Sequence, residues 1–109
     1  MFSYFPGKRR ISKQNIKSEL ADCLSVEKEI RRIVIFGSFL NSSDPHDIDV
    51  AIFQDSDDQY LTLALKYRKR TRDIARIIPL DIIPIRSDAS SGFFMDEIRQ
   101  GEVIYERRN

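Results

Sequence analysis

The sequence predicts a small domain of the α/β (α+β) class, in which helices pack on a mixed sheet of three to four strands. Short β-branched apolar runs recur along the chain, and amphipathic helical patterns alternate with them. The 109 residues are 41% hydrophobic and 32% charged, which is a globular composition. We therefore expect a single domain over residues 1–109, with an N-terminal arm and helix over 1–29 and a core over 30–106.

The first segment is predicted to be an arm followed by a helix. Residues 1–11 show no sustained periodicity and are predicted to be irregular, with a turn at Pro6-Gly7. Ser12 is a suitable N-cap, because its hydroxyl oxygen can accept a hydrogen bond from the first helical turn. Apolar side chains then recur at helical spacing, which predicts an amphipathic helix over residues 13–24.

Two strands are predicted next, separated by a polar connection. The run from Ile30 to Phe36 is short, β-branched and apolar, which indicates a buried strand. Residues 37–46 are polar and rich in turn-forming side chains. The apolar pattern resumes over residues 47–53, where we expect the second strand.

The second half of the chain repeats the alternation of helix and strand. Residues 57–77 place apolar side chains on one face and basic side chains on the other, which predicts a helix. The sequence LDIIPI at 80–85 predicts a third strand, which Pro84 favours at a sheet edge. A last helix is expected to begin at Ser90 or Ser91, to run through Arg99 and to end before Gly101. A short extended segment is expected at 102–105.

Charge and cysteine content exclude several classes of protein. Eighteen Lys and Arg against 17 Asp and Glu give a net charge of +1, so general binding of nucleic acid is not favoured. The basic stretch 66–76 could bind RNA, but a solvated helix face is the preferred interpretation. The single cysteine, Cys23, allows no intrachain disulfide. We see no run of about 18 apolar residues and no secretory signal pattern, and we expect a cytoplasmic protein.

Two aspartates interrupt the second predicted strand. Side chains two residues apart share one face of a strand, so Asp47 and Asp49 should project together. Ile48, Val50 and Ile52 would take the other face and pack beneath helices, which leaves the acids on a face that must stay open. Two carboxylates this close repel each other and are costly to bury without a partner. Mg²⁺ is the natural cation for them, because it prefers hard oxygen ligands.

A third acid and a glycine-serine step extend this pattern. Asp81 lies early in the strand predicted at 80–85, where a charge is again out of place. Three aspartates from two adjacent strands could hold two ions about 3.5–4 Å apart, which is the arrangement that serves phosphoryl or nucleotidyl transfer. At Gly37-Ser38 the backbone can come close to a ligand, and N–H groups at the start of a following helical turn can bind an anion.

The whole order of motifs resembles the DNA polymerase β-like nucleotidyltransferase superfamily, and within it the minimal nucleotidyltransferase (MNT) group. The motif is Gly37-Ser38, eight intervening residues, Asp47-Ile48-Asp49 and a later strand that carries Asp81. The tail FFMDEIRQGEVIYE at 93–106 is similar to the ending common in MNT domains. The resemblance covers nearly the whole chain from about residue 30 onward, and it implies the nucleotidyltransferase fold.

The resemblance also implies an activity. A nucleoside triphosphate, ATP in particular, would bind through two Mg²⁺ ions, and NMP would pass to a hydroxyl acceptor while pyrophosphate leaves. By motif position, Gly37 and Ser38 would hold the triphosphate, and Asp47 and Asp49 would bind both metal ions. Asp81 would complete the catalytic metal site and help to deprotonate the acceptor hydroxyl.

One departure from the family pattern leaves the activity open. Asn41 is a third predicted phosphate-binding residue, but many MNT sequences have an arginine there. MNT domains are often encoded beside a HEPN-domain protein, which some of them modify with AMP and others neutralise by binding. The sequence therefore leaves two main hypotheses, an enzyme that modifies a HEPN-type toxin and a weak or inactive antitoxin subunit that acts by contact. Transfer to RNA or to a small molecule is a third, and homo- or hetero-oligomers fit all three.

Overall fold

The centre of the fold is a mixed β-sheet. The computed structural model of the protein describes residues 2–5, 9–92 and 94–108, with side chains described from Ser12 onward. The strands are β1 (Phe2–Phe5), β2 (Arg9–Ser12), β3 (Ile30–Phe36), β4 (Ile48–Gln54), β5 (Leu80–Arg86) and β6 (Glu102–Glu106). The helices are α1 (Lys13–Leu24), α2 (Tyr60–Arg70), α3 (Arg72–Ala75) and α4 (Met95–Arg99), with a 3-10 turn at Ser38–Leu40.

The central sheet has the strand order β5-β4-β3-β6. Strands β4 and β5 are parallel, whereas β3 is antiparallel to both β4 and β6. The starts of β4 and β5 therefore meet the end of β3 at one edge of the molecule. This mixed four-stranded sheet with helices confirms the predicted α+β class and the nucleotidyltransferase fold. Within the described residues, no helix is both long and apolar enough to cross a membrane.

The bounds of the four strands of the central sheet agree with the predictions to within one residue. Strand β3 has the predicted bounds, whereas β4 begins at Ile48 and not at Asp47. The Ile48 N–H donates to Pro79 O at 2.9 Å, so Ile48 is the first residue held to the neighbouring chain. Strand β5 lies at a sheet edge, as Pro84 predicts, because an internal proline would remove a ladder hydrogen bond.

Both faces of the sheet are covered, but unequally. One face packs against α1, α2 and α3, and it includes Ile48, Val50 and Ile52 as predicted. The opposite face carries Ala51 and Phe53 and is covered by the short helix α4. The expectation that the face of the acids stays open is therefore wrong along most of β4, and it holds only near the start of the strand, where Asp49 is half-buried.

The predicted irregular arm at residues 1–11 is wrong where the structure describes it. Strand β1 pairs with β2 in an antiparallel hairpin, with Phe2 opposite Ser12. The aromatic residues of β1 have high strand propensity, but four residues are too few for a clear alternation. The predicted turn at Pro6-Gly7 lies outside the described residues. Ser12 caps α1 as predicted, because its hydroxyl accepts from the Asn15 N–H at 3.3 Å.

The helix predicted over 57–77 is in fact two helices. Helix α2 begins only at Tyr60, and Thr71 separates it from α3. The buried Thr71 hydroxyl donates to the Tyr67 carbonyl at 2.9 Å. A side chain that bonds back to the preceding turn competes with the regular helical pattern, which explains the break.

The last helix begins later than predicted. It starts at Met95 and not at Ser90 or Ser91, because Gly92 and Phe94 have φ angles of 133° and 65°. A chain with these positive φ angles cannot continue a right-handed helix. The helix ends at Arg99, followed by Gly101, as predicted. A Cβ at Gly101 would lie 2.5 Å from Ile35 O, so this glycine permits close packing on β3.

Candidate active site

The topology brings the three predicted aspartates together at one end of the sheet. Asp49 is the second residue of β4, and its partner in the parallel register is Asp81, the second residue of β5. Neighbouring strands lie about 4.8 Å apart, so these carboxylates are adjacent. Asp47 lies one residue before β4 and interacts electrostatically with Asp49. The prediction that acids from two adjacent strands meet is thereby realised in the fold.

The charge balance of this cluster is unfavourable for Asp49. Its pKa is raised to about 6, first by burial and then by the charges of Asp47 and Asp81, with a hydrogen bond to Asp81 in addition. Burial disfavours an ionised carboxyl group, and like charges at short range disfavour it further. The cluster is therefore a concentration of negative charge that a cation would stabilise.

Gly37 directly follows β3 and lies against the Asp49 carboxylate. Its φ of 82° lies in the left-handed region, where a side chain is strained. A Cβ at this position would overlap Asp49 Oδ2 and would lie 3.4 Å from Asp49 Cγ. The sequence predicted that Gly37 lets the backbone approach a ligand. In the structure the group that occupies the space of the missing side chain is the Asp49 carboxylate itself.

A 3-10 turn follows Gly37, in agreement with the predicted helical turn. Its bonds run from Leu40 N to Gly37 O at 3.4 Å and from Asn41 N to Ser38 O at 3.1 Å. The side chain of Phe39 is fully buried and anchors the turn in the core. Ser38 is exposed and opens the turn, at a position where an N–H has no acceptor within the turn.

Asn41, the third predicted phosphate-binding residue, lies in the same loop as Ser38. It is exposed and ends the 3-10 turn as its C-cap. Among the described residues, its side chain makes no hydrogen bond to the three carboxylates. Lys13 supports the next residue of this loop, since its Nζ donates to Ser42 O at 2.6 Å.

The three carboxylates are the type of ligand that a hard cation prefers, although their side chains are not in position to bind one. Carboxylate oxygens are the ligands that Mg²⁺ prefers. In the described part of the chain, no group of three or more His, Cys, Asp and Glu side chains has metal-holding geometry. In this arrangement Asp49 and Asp81 are hydrogen-bonded to each other.

An aromatic pair beside the acids was not anticipated from the sequence. Phe36 is the cross-strand partner of Asp49 in the β3–β4 register. The ring of Phe94 lies over it, with a centroid distance of 6.0 Å and an interplanar angle of 41°. The available signal was the aromatic start of the tail at 93–106, but no sequence rule connects that segment with the end of β3.

Comparison with known proteins bears on this site. The chain matches the family described as Polymerase beta, Nucleotidyltransferase over residues 18–109. The matched segment contains the central sheet and every predicted site residue, which are Gly37, Ser38, Asn41, Asp47, Asp49 and Asp81. A comparison with curated proteins gave no significant match.

Replacement of Gly37 by alanine should destabilise the fold more than replacement of Gly92 by alanine. Gly37→Ala and Gly92→Ala both place a side chain on a backbone with positive φ, at a cost of about 1–2 kcal/mol. Only Gly37→Ala also forces a Cβ against Asp49, since nothing lies within 4 Å of a Cβ at Gly92. Urea unfolding should give a loss about 1–3 kcal/mol larger for Gly37→Ala. Equal losses would contradict the close contact between Gly37 and Asp49.

Asp49→Asn should raise stability in a pH-dependent way. The pKa of Asp49 is about 6 in the fold and about 3.9 in an unfolded chain. Between these values the folded state binds more protons, so the free energy of unfolding falls as the pH rises from about 4 to about 6. Asp49→Asn should therefore raise the midpoint temperature of thermal unfolding more at pH 7.5 than at pH 4.

The exposed Asp58 offers a control for the loss of one negative charge. Asp58→Asn should not reproduce the pH-dependent gain, because Asp58 lies before α2 and not in the carboxylate cluster. An Asp49→Asn gain of the same size at both pH values would argue against charge repulsion as its cause.

Proposed function

Because this chain belongs to the polymerase β nucleotidyltransferase family, we propose that it transfers NMP, AMP in particular, from a nucleoside triphosphate to a hydroxyl group of a partner protein. The observation that carries this proposal is that Asp47, Asp49 and Asp81 lie close together, with the Asp49 carboxylate against Gly37. Membership of the MNT group and a HEPN-type toxin as the partner are further parts of the proposal, and they rest on the motif resemblance.

The first role of the three carboxylates would be to bind metal ions. Asp47 and Asp49 would hold two Mg²⁺ ions, one of them shared with Asp81, and these ions would supply the positive charge that offsets the triphosphate and the charge developing during transfer. Asp49, with a pKa of about 6, is mainly ionised at neutral pH even without a cation. Gly37 supports this role by fixing the Asp49 carboxylate against the backbone.

The reaction itself would be an in-line displacement. The acceptor hydroxyl oxygen forms a bond to the α-phosphorus, and the bond from that phosphorus to the oxygen bridging the β-phosphate breaks. Pyrophosphate leaves with the electron pair, and the hydroxyl proton passes to the Asp81 carboxylate. Asp81 suits this task because it is exposed and lies beside Asp49. The protein contributes mainly position and charge, as is typical of such transfers.

The Ser38 backbone and the Asn41 side chain would contact the triphosphate. Ser38 opens the turn after Gly37, where an N–H can donate to a phosphate oxygen. Asn41 offers a neutral amide where an arginine is usual, and a neutral donor binds phosphate more weakly than a guanidinium. We therefore expect weaker triphosphate binding than in relatives that have the arginine.

Label transfer tests the enzymatic proposal. The protein is incubated with α-labelled ATP, Mg²⁺ and the HEPN-domain protein encoded beside it, and labelled protein is detected after denaturing electrophoresis. We expect label on the partner, and Asp49→Asn should lower the rate by about a thousandfold, because a lost metal ligand costs several kcal/mol of barrier.

The exposed Asp58 again provides the matched control. Asp58→Asn should transfer label at the wild-type rate. Full activity in Asp49→Asn, or no transfer with any of the four nucleoside triphosphates while the two proteins form a stable complex, would reject the enzymatic proposal.

A second candidate function is neutralisation of the partner by contact alone. Helix α2 exposes three large apolar side chains, with exposed fractions of 58% for Tyr60, 62% for Leu61 and 54% for Leu65. Leu61 and Leu65 are four residues apart and lie on the same side of the helix. Contiguous exposed apolar side chains typically mark protein interaction surfaces. This α2 surface supports a binding subunit without requiring chemistry at the carboxylates.

A double substitution separates the two candidates. If contact alone neutralises the toxin, Leu61→Asp with Leu65→Asp should abolish protection of growth when the two proteins are expressed together, and Asp49→Asn should protect fully. Val26→Asp is the control, because Val26 is similarly exposed at 56% outside α2. Loss of protection in Asp49→Asn with complex formation intact would instead favour the enzyme.

A further inference from the structure

Phe94 has a backbone conformation that its residue type does not favour. Among the described residues, it is the non-glycine residue with a positive φ, at 65°. An L-residue with a Cβ is strained in this left-handed region, whereas Gly or Asn adopts it at lower cost. Such residues persist where the surrounding structure holds them, and they cluster at ligand-binding sites. A phenylalanine held in this conformation points to a role of its side chain.

Burial does not account for a phenylalanine at this position. The Phe94 side chain is 52% exposed, although a large apolar ring is stabilised by leaving water. One side of the ring lies on Phe36, with 6.0 Å between the ring centroids. Phe36 itself is almost completely buried, with 3% of its surface exposed. The pair thus presents a supported aromatic ring to solvent.

This ring lies beside the carboxylate cluster. Phe36 and Asp49 are paired across β3 and β4, and the Cβ atoms of such pairs are about 5 Å apart on one face of the sheet. The residue after Phe36 is Gly37, which packs on the Asp49 carboxylate. Phe36 and Gly37 are consecutive residues at the end of β3; the first supports the Phe94 ring and the second contacts the acid Asp49.

We propose that Phe94, supported by Phe36, is the surface on which the nucleobase of the substrate triphosphate stacks. This inference rests on the proposed function, because it takes the carboxylate end of the sheet as the place of the phosphates. A flat aromatic face suits any base, since every base has a π-face. Phe94 therefore raises affinity for nucleotides generally, and the larger purine rings benefit more than pyrimidines.

The test compares ATP with inorganic tripolyphosphate, which has the phosphates and lacks the base. Calorimetry in the presence of Mg²⁺ should show that the wild-type protein binds ATP about tenfold more tightly than tripolyphosphate, within the range known for one stacked base. Phe94→Ala should lower ATP affinity about tenfold and leave tripolyphosphate affinity unchanged. Phe94→Tyr keeps the ring and should retain wild-type ATP affinity.

Two further variants control for indirect effects. Tyr60→Ala removes an aromatic ring of similar exposure, 58%, from a regular helix and should change neither affinity. Phe94→Asn removes the ring but suits the left-handed backbone, so it provides a folded variant if Phe94→Ala is unstable. It should show the same selective loss of ATP affinity, and circular dichroism checks the fold of each variant.

The outcomes distinguish the inference from the function on which it rests. The role of Phe94 would be overturned if the wild-type protein bound ATP and tripolyphosphate with equal affinity. It would also be overturned if Phe94→Ala and Phe94→Asn both kept the wild-type affinity for ATP. Either result would leave the proposed function in place. No Mg²⁺-dependent binding of either ligand would overturn both.

Discussion

The parallel pairing of β4 with β5 is the constraint on which the site depends. It sets Asp49 directly beside Asp81, although α2 and α3 separate the two strands in the chain. Two carboxyl groups held this way repel each other, and the pKa of Asp49 is raised to about 6, first by burial and then by the charges of Asp47 and Asp81. The apolar side chains of β4 that face the helices, including Ile48 and Val50, stabilise the pairing against that repulsion.

The unequal covering of the sheet gives its two faces different roles. Helices α1, α2 and α3 bury one face and supply most of the core. The opposite face is closed by α4, a helix of five residues that reaches the sheet through Met95 and Ile98. Left-handed backbone occurs at Gly37, the residue after Phe36, and at Phe94, whose ring packs on Phe36. Strain of this kind near a cluster of like charges is typical of a functional site and not of a region optimised for stability.

Several elements could be predicted closely from the sequence, and others could not. The bounds of α1 and β3 were correct, because the helical spacing of apolar residues in α1 and the β-branched apolar residues of β3 are strong local signals. The break at Thr71 was missed because it depends on a hydrogen bond to Tyr67 O that only the buried position of Thr71 makes favourable. The late start of α4 was missed because it depends on positive φ at Phe94, a residue type that rarely adopts it.

The sequence by itself determined the chemical groups of the site and the local structure that carries them. Alternation along β4 places Asp49 on the face opposite to Ile48, Val50 and Ile52, and Gly37 permits a backbone that other residues disfavour; both properties arise from neighbours in the chain. Only the tertiary structure decided which groups meet, because strand pairing and helix docking depend on packing of the whole core. Through it, Asp81 lies beside Asp49, Gly37 contacts the Asp49 carboxylate and Phe94 lies over Phe36.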